Sequence, residues 1–222
     1  MAGGGGTRLV PAAVPSELWP LIEPLLREAL QVAELSGEFQ EVCLCLDDLG
    51  GGQNTWYQVL PLTGASGGYR LVVTCHAAAV CRQRPFAGGS GVPIAVWEQM
   101  EMRPPEPELG SEEFSALRCG CFLNHHLLTV ADLRRGRVEV RDLPPELVEA
   151  FGAAWSVTVD GRLDRGQSPG YPLVERRRQF TELFGPAGIL LPSHWQLFDE
   201  LWSGERASQA SVLGAVKRLP LL

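Results

Sequence analysis

A chain of 222 residues with 45% hydrophobic and 20% charged side chains can bury a sizeable core, and its composition is that of a globular protein rather than a disordered one. Its formal charge of -7, from 26 acidic against 19 basic groups, argues against nucleic acid as a partner, because neutralising phosphates takes a clustered excess of Lys and Arg. No apolar run approaches the roughly 18 to 20 residues that span a bilayer, and residues 1–6 read as a glycine-rich tail rather than a leader, so no membrane partner and a cytoplasmic location are expected.

Residues 1–15 are expected to form a flexible tail, kept extended by Pro11 and Pro15, and residues 16–222 a single α+β domain. Ser16, Pro20 or Pro24 can open a first helix whose apolar side includes Leu26, Ala29, Leu30 and Ala33, and which ends near Ser36 and Gly37. In residues 41–49, Val42, Leu44 and Leu46 alternate with Cys43 and Cys45, so both faces are apolar, as in a central strand buried on both sides. Residues 56–62 and 69–77 read as two more strands, and the Gly-rich connectors are too short for a helix, which leaves a meander or hairpin. A further strand is expected over residues 93–102, before a stiff proline-rich break at residues 104–107.

The longest helix-like run near the middle of the chain is residues 111–135, with Ser111 as N-cap, Glu112 and Glu113 in the first turn, and Gly136 as a left-handed stop. Phe114, Leu117, Cys121, Leu128 and Leu133 fit a core stripe imperfectly, while Phe122, His125, Thr129 and Asp132 recur on a neighbouring, more polar face. Residues 137–143 can add a strand or a linker. Pro145 then suits the first turn of a helix in which Val148, Phe151, Trp155 and Val159 share a face, although the β-branched residues 157–159 disfavour it locally. Residues 174–185 predict another helix, Ser193 and Gln196 a capping box opening a short one, and residues 207–219 a last one stopped by Pro220. Strands first and helices after describe an α+β fold, a small mixed or antiparallel sheet packed with helices.

The chemistry worth weighing lies in residues 121–133. A zinc-protease helix of the His-Glu-x-x-His type needs two imidazoles one turn apart to hold the metal, and a Glu beside the first to take a proton from bound water. Here His125 stands at the first ligand position, His126 replaces the Glu and Thr129 replaces the second His. Residues 111–185, with the preceding helix and strands in compatible order, resemble the active-helix region of the small bacterial zincin-like metallopeptidases. The resemblance implies a zincin-like fold with His125 as the matching ligand position and a third ligand supplied from downstream, where Asp160 and Glu149 are available; Asp132, two turns after His125, offers another oxygen ligand. With two of three chemical letters changed, it implies a relative that has lost peptidase activity, has no cofactor, and acts as a binding or interaction module for a protein or peptide. The alternatives are a divergent metal-dependent hydrolase that holds zinc through His125 and carboxylates, and an unrelated structural α+β protein.

Other constellations carry less. Cys43, Cys45, Cys75, Cys81, Cys119 and Cys121 read as reduced, buried small hydrophobes, since their two Cys-x-Cys pairs lack the spacing of a zinc knuckle. Cys121 and His125 are one turn apart, but a mid-helix cysteine lacks the helix N-terminus that would lower its pKa, and Cys75 and His76 point to opposite faces of a strand. Arg176, Arg177 and Arg178, flanked by Glu175 and Glu182, read as a solvated helix face; Trp155, Trp195 and Trp202 read as core or an oligomer contact.

Overall fold

The computed structural model describes residues 6–46, 55–62, 67–82, 113–185 and 190–219. It is an α+β structure built on a four-stranded mixed sheet. The sheet comprises β1 (Arg8–Ala12), β2 (Glu41–Leu46), β3 (Trp56–Pro61) and β4 (Tyr69–Cys75), in the order β1-β2-β4-β3. β1 and β4 both run parallel to β2, and β3 runs antiparallel to β4. The expected β3–β4 hairpin is present, but β2 pairs with β4 instead of β3, so the strands do not form a simple meander. Arg8–Ala12 was expected within the flexible tail, yet it forms an edge strand. Pro11 is tolerated at that edge because a proline there removes only one ladder donor.

One face of the sheet is packed and the other is open to polar groups. Val42, Leu44, Leu71 and Val73 point inward and are essentially inaccessible; burying each contributes about 1.5–3 kcal/mol. On the other face, buried Glu41 is held between Arg8 and Arg70, which flank it in register. Two helices cover the inner face. The first, α1 (Trp19–Val32), begins with Pro20 in its first turn, where a missing N–H costs nothing, and it buries Ile22, Leu26, Ala29 and Leu30.

The second, α2 (Ala116–Arg134), follows a two-stranded ribbon of β5 (Cys81–Arg82) and β6 (Glu113–Phe114). Its N-cap is Ser115, whose Oγ accepts from the Arg118 N–H at 3.3 Å; the proposed cap at Ser111 lies outside the described residues, as does the strand expected over residues 93–102. Gly136 (φ 65°) supplies the left-handed stop, with the Arg137 N–H bonding back to the Asp132 carbonyl at 2.9 Å. Eleven of the 19 residues of α2 are buried, among them Asn124, His125 and Asp132, so this helix has no solvated polar face. Leu117, expected in the core stripe, is exposed at 72%.

The reason is a second core on the far side of α2. After two single 3-10 turns, Val140–Asp142 and Pro145–Leu147, come α3 (Val148–Arg165), α4 (Leu173–Phe184), α5 (Pro192–Ser203) and α6 (Gln209–Val216). Their apolar residues, including Phe151, Trp155, Val159, Phe180, Phe184, Phe198 and Leu201, form one cluster, and Leu128 and Leu133 of α2 pack against it. Residues 137–143 therefore add no strand. Helix packing overrides the β-branched run of α3, where Val157, Thr158 and Val159 are all buried. A Cβ at Gly161 would collide with the Trp202 carbonyl, so this glycine lets α3 and α5 approach backbone to backbone. The cap of α5 is not Ser193 with Gln196: Nδ1 of buried His194 accepts from the Leu191 N–H at 3.1 Å. No helix among the described residues is long and apolar enough to cross a membrane.

Candidate functional site

Helix α2 is sandwiched between the sheet core and the helical core, and its adjacent histidines point one to each. His125 faces α3 and α4. Its Nδ1 lies 3.1–3.2 Å from the two carboxylate oxygens of Asp160, a residue with no solvent exposure. The guanidinium of Arg176, from the first turn of α4, bonds the same carboxylate through Nε, and its Nη2 lies 3.1 Å from Nδ1 and 3.3 Å from Nε2 of His125. The Tyr171 N–H donates to Asp160 Oδ1 at 3.0 Å, and the Tyr171 ring covers Arg176, 4.4 Å from its guanidinium carbon, and meets the His125 ring edge-on at 5.3 Å. Gln179 accepts from Arg176 Nη1. Beside this cluster a cleft of about 190 Å³ is lined by Asp160, Asp164, Gly170, Tyr171 and Trp202 among others.

The protonation state follows from the surroundings. Burial pushes the His125 imidazole below its ordinary range against the pull of Asp160, and Arg176 pushes it further down. For Asp160 burial acts upward, but His125 and Arg176 outweigh it and hold the carboxyl below its usual value. These two shifts are reconciled by the Arg176 guanidinium bonded to Asp160, which favours the ionised carboxylate without requiring a protonated histidine. The consistent arrangement is a neutral imidazole donating from Nδ1 to Asp160, with Arg176 Nη2 lying across the ring at 3.1 and 3.3 Å from its two nitrogens.

His126 faces the sheet. Its Nδ1 bonds the Tyr57 hydroxyl of β3, its Nε2 lies 3.5 Å from Thr55 Oγ1, and its ring packs 4.4 Å from Phe122 and 4.9 Å from His125. Burial, then His125 and Arg176, hold it well below the ordinary imidazole range. Burial likewise raises the Tyr57 phenol above its usual value and pushes the Tyr171 phenol up to about 12, so both stay neutral donors. Thr129 Oγ1 donates to the His125 carbonyl at 2.9 Å, which turns the hydroxyl onto its own helix backbone. The three motif positions thus point in three directions: His125 to the helices, and the substituted His126 to the sheet and Thr129 to the backbone.

Asp132 bonds neither histidine and shares no hydrogen-bond partner with them among the described residues. It forms a second buried cluster two turns along α2, accepting from Trp155 Nε1 at 3.0 Å and from both terminal nitrogens of Arg162, with Arg137 at 3.7 Å. Of the three candidate ligands the fold therefore joins His125 to Asp160 and assigns Asp132 elsewhere. Glu149 stands in the first turn of α3, 11 residues before Asp160.

This donor set does not fit zinc. A zinc ion sits about 2.0–2.1 Å from an imidazole nitrogen, and one joining His125 to Asp160 would stand beside the Arg176 guanidinium, which already bonds that carboxylate and lies 3.1–3.3 Å from both ring nitrogens, so two cations would share one carboxylate. Among the described residues no group of three or more His, Cys, Asp or Glu side chains is arranged to hold a metal ion. Burial pushes the Cys75 and Cys119 thiols up to about 12 and raises Cys121, which keeps these three unreactive.

Arg176 corrects the expectation of a uniformly solvated arginine run: Arg177 and Arg178 are exposed, but Arg176 is buried. A signal for it existed, because Arg176, Phe180 and Phe184 stand at four-residue intervals and are the buried residues of α4. Tyr57 and Tyr171 carried no such signal. No family model, curated protein or solved structure compared with this chain matches it.

Proposed function

We propose that the chain is a non-catalytic, zincin-like protein that serves as a binding or interaction module for a protein or peptide. The observation that supports this reading is Arg176, whose guanidinium pairs with Asp160 and lies against the His125 ring, so that a catalytic cation between them would meet a fixed positive charge. A water-activating site needs an open coordination position and a base beside it. Here the Arg176 side chain, 9% exposed, stands against that position and takes up the Asp160 carboxylate, His126 in the Glu position bonds Tyr57, and Thr129 in the second His position bonds its own backbone. Each substitution has acquired a structural partner, as expected of positions released from chemistry and reused for packing.

Metal analysis of protein purified without chelator tests the reading. Less than a tenth of an equivalent of zinc is expected, on the order of background for a protein without a site, with no change in thermal midpoint on adding zinc. One equivalent of zinc, lost in His125→Ala, would overturn the proposal in favour of the metal-dependent hydrolase.

A further inference from the structure

The side chains around Arg176 do more than neutralise it. Asp160 faces Nε, the His125 ring nitrogens face Nη2, the Gln179 carbonyl oxygen faces Nη1, and the Tyr171 ring lies over the guanidinium carbon at 4.4 Å. Every nitrogen of a planar fork is therefore met by a polar partner, Nε and Nη1 by oxygen acceptors and Nη2 by the imidazole, and one face of the plane is met by an aromatic ring. That is the full set of contacts by which a guanidinium is told apart from an ammonium, which has neither the fork nor the flat face. The walls are anchored independently of Arg176: Asp160 also accepts from the Tyr171 N–H at 3.0 Å and pairs with His125. Gly170 keeps the wall thin, since a Cβ there would lie 3.1 Å from Asp160 Oδ1 and 3.0 Å from Leu163.

We infer that Asp160, His125, Tyr171 and Gln179 form a guanidinium-binding cage, filled in the protein by its own Arg176, so that the first turn of α4 is a tethered ligand of the α2–α3 pair. This rests on the reading of the site as closed to metal and adds the class of cation it selects. Because three walls of the cage come from α2, α3 and the loop before α4, emptying it leaves a preformed polar cavity shaped for a free guanidinium ion, reached along the channel the arginine side chain vacates.

Arg176→Ala empties the cage. Thermal unfolding of this variant, followed by circular dichroism, is measured with guanidinium chloride at low millimolar concentrations, with urea as the neutral molecule of the same shape, with ammonium chloride, and with zinc alone. Guanidinium is expected to raise the midpoint saturably and to recover about half of the loss caused by the substitution. Urea and ammonium are expected to do nothing, and guanidinium is expected not to stabilise wild type or Arg176→Ala/Asp160→Asn. If Arg176→Ala is unfolded alone, the same titration reads recovery of helical signal. Arg176→Lys, which keeps the charge and blocks the cavity, is expected to fold and to show no guanidinium effect. No stabilisation of Arg176→Ala, or equal stabilisation by urea or in wild type, would overturn the cage. Stabilisation by zinc and not guanidinium would also overturn it, while leaving the metal content of wild type, and hence the proposed function, a separate question with a separate answer.

Discussion

Two buried carboxylates join the same pair of helices, and they do it differently. Asp160 of α3 reaches His125 of α2, and Asp132 of α2 reaches Trp155 and Arg162 of α3. Both carboxylates are almost wholly inaccessible, but their cations are not alike: Arg176 is 9% exposed, whereas Arg162 is 22% and Arg137 51% exposed. The Asp160 cluster is thus sealed and contains an imidazole, while the Asp132 cluster opens to water at its arginine end and contains none. Equal-looking ion pairs should therefore respond unequally to substitution and to acid.

The largest effect is expected at Asp160. Asp160→Asn keeps the shape but leaves Arg176 as a buried cation without a counter-charge, which typically costs about 3–5 kcal/mol. Urea unfolding at pH 7 is the measurement, and a loss below about 1 kcal/mol would show that water or a rearranged side chain replaces the carboxylate, erasing the distinction between the two clusters. Asp132→Asn should cost less, about 1–3 kcal/mol, because Arg162 and Arg137 can turn to solvent while the Trp155 N–H still finds the amide oxygen. The order of the two losses, more than either value, is the test.

How these clusters related to the sequence depends on the range of the interactions involved. Helices α3 to α6 and strands β2 to β4 were legible because apolar spacing and turn residues are local signals. The order of pairing was not, since whether β2 joins β3 or β4 is decided by contacts distant along the chain. β1 was hidden by Pro11 and the neighbouring glycines, and only its partner β2 makes it a strand. The pattern of α2 was ambiguous for a physical reason: a helix buried on two sides shows two overlapping apolar stripes rather than one, and the buried polar residues His125, Asn124 and Asp132 blur both. His125 and Asp160 could be nominated as candidate ligands, but the groups that decide their chemistry, Arg176, Tyr171 and Tyr57, reach them only through tertiary packing. Arg176 alone had a local clue, at the head of the Phe180 and Phe184 stripe, and the charge of its neighbours Arg177 and Arg178 masked it.

The smallest expected effect is the one that separates the clusters by pH. Both imidazoles on α2 are held below their unfolded value near 6.5, so below that pH the unfolded chain binds protons that the folded one refuses. Their contribution is complete above about 6.5 and is lost as pH falls towards the folded values, with a slope of at most about 1.4 kcal/mol per pH unit for each histidine. Asp160, held below 3.8, stays ionised through this window and begins to lose its contribution only at lower pH, so the fall between about pH 6.5 and 5 belongs to the histidines. The Asp132 cluster contains no imidazole. His126→Gln, which keeps a hydrogen-bonding side chain opposite Tyr57 and Thr55, is therefore expected to flatten part of the slope in urea unfolding across pH 7.5 to 5, whereas Asp132→Asn lowers the whole curve without changing its shape. An unchanged slope in His126→Gln would mean that the sheet side of α2 admits the protonated imidazole. The junction between the two cores would then be open to water on the β3 side as well as at Arg162, and the sealed character assigned to the Asp160 end would be confined to His125 and its bonded neighbours Asp160 and Arg176.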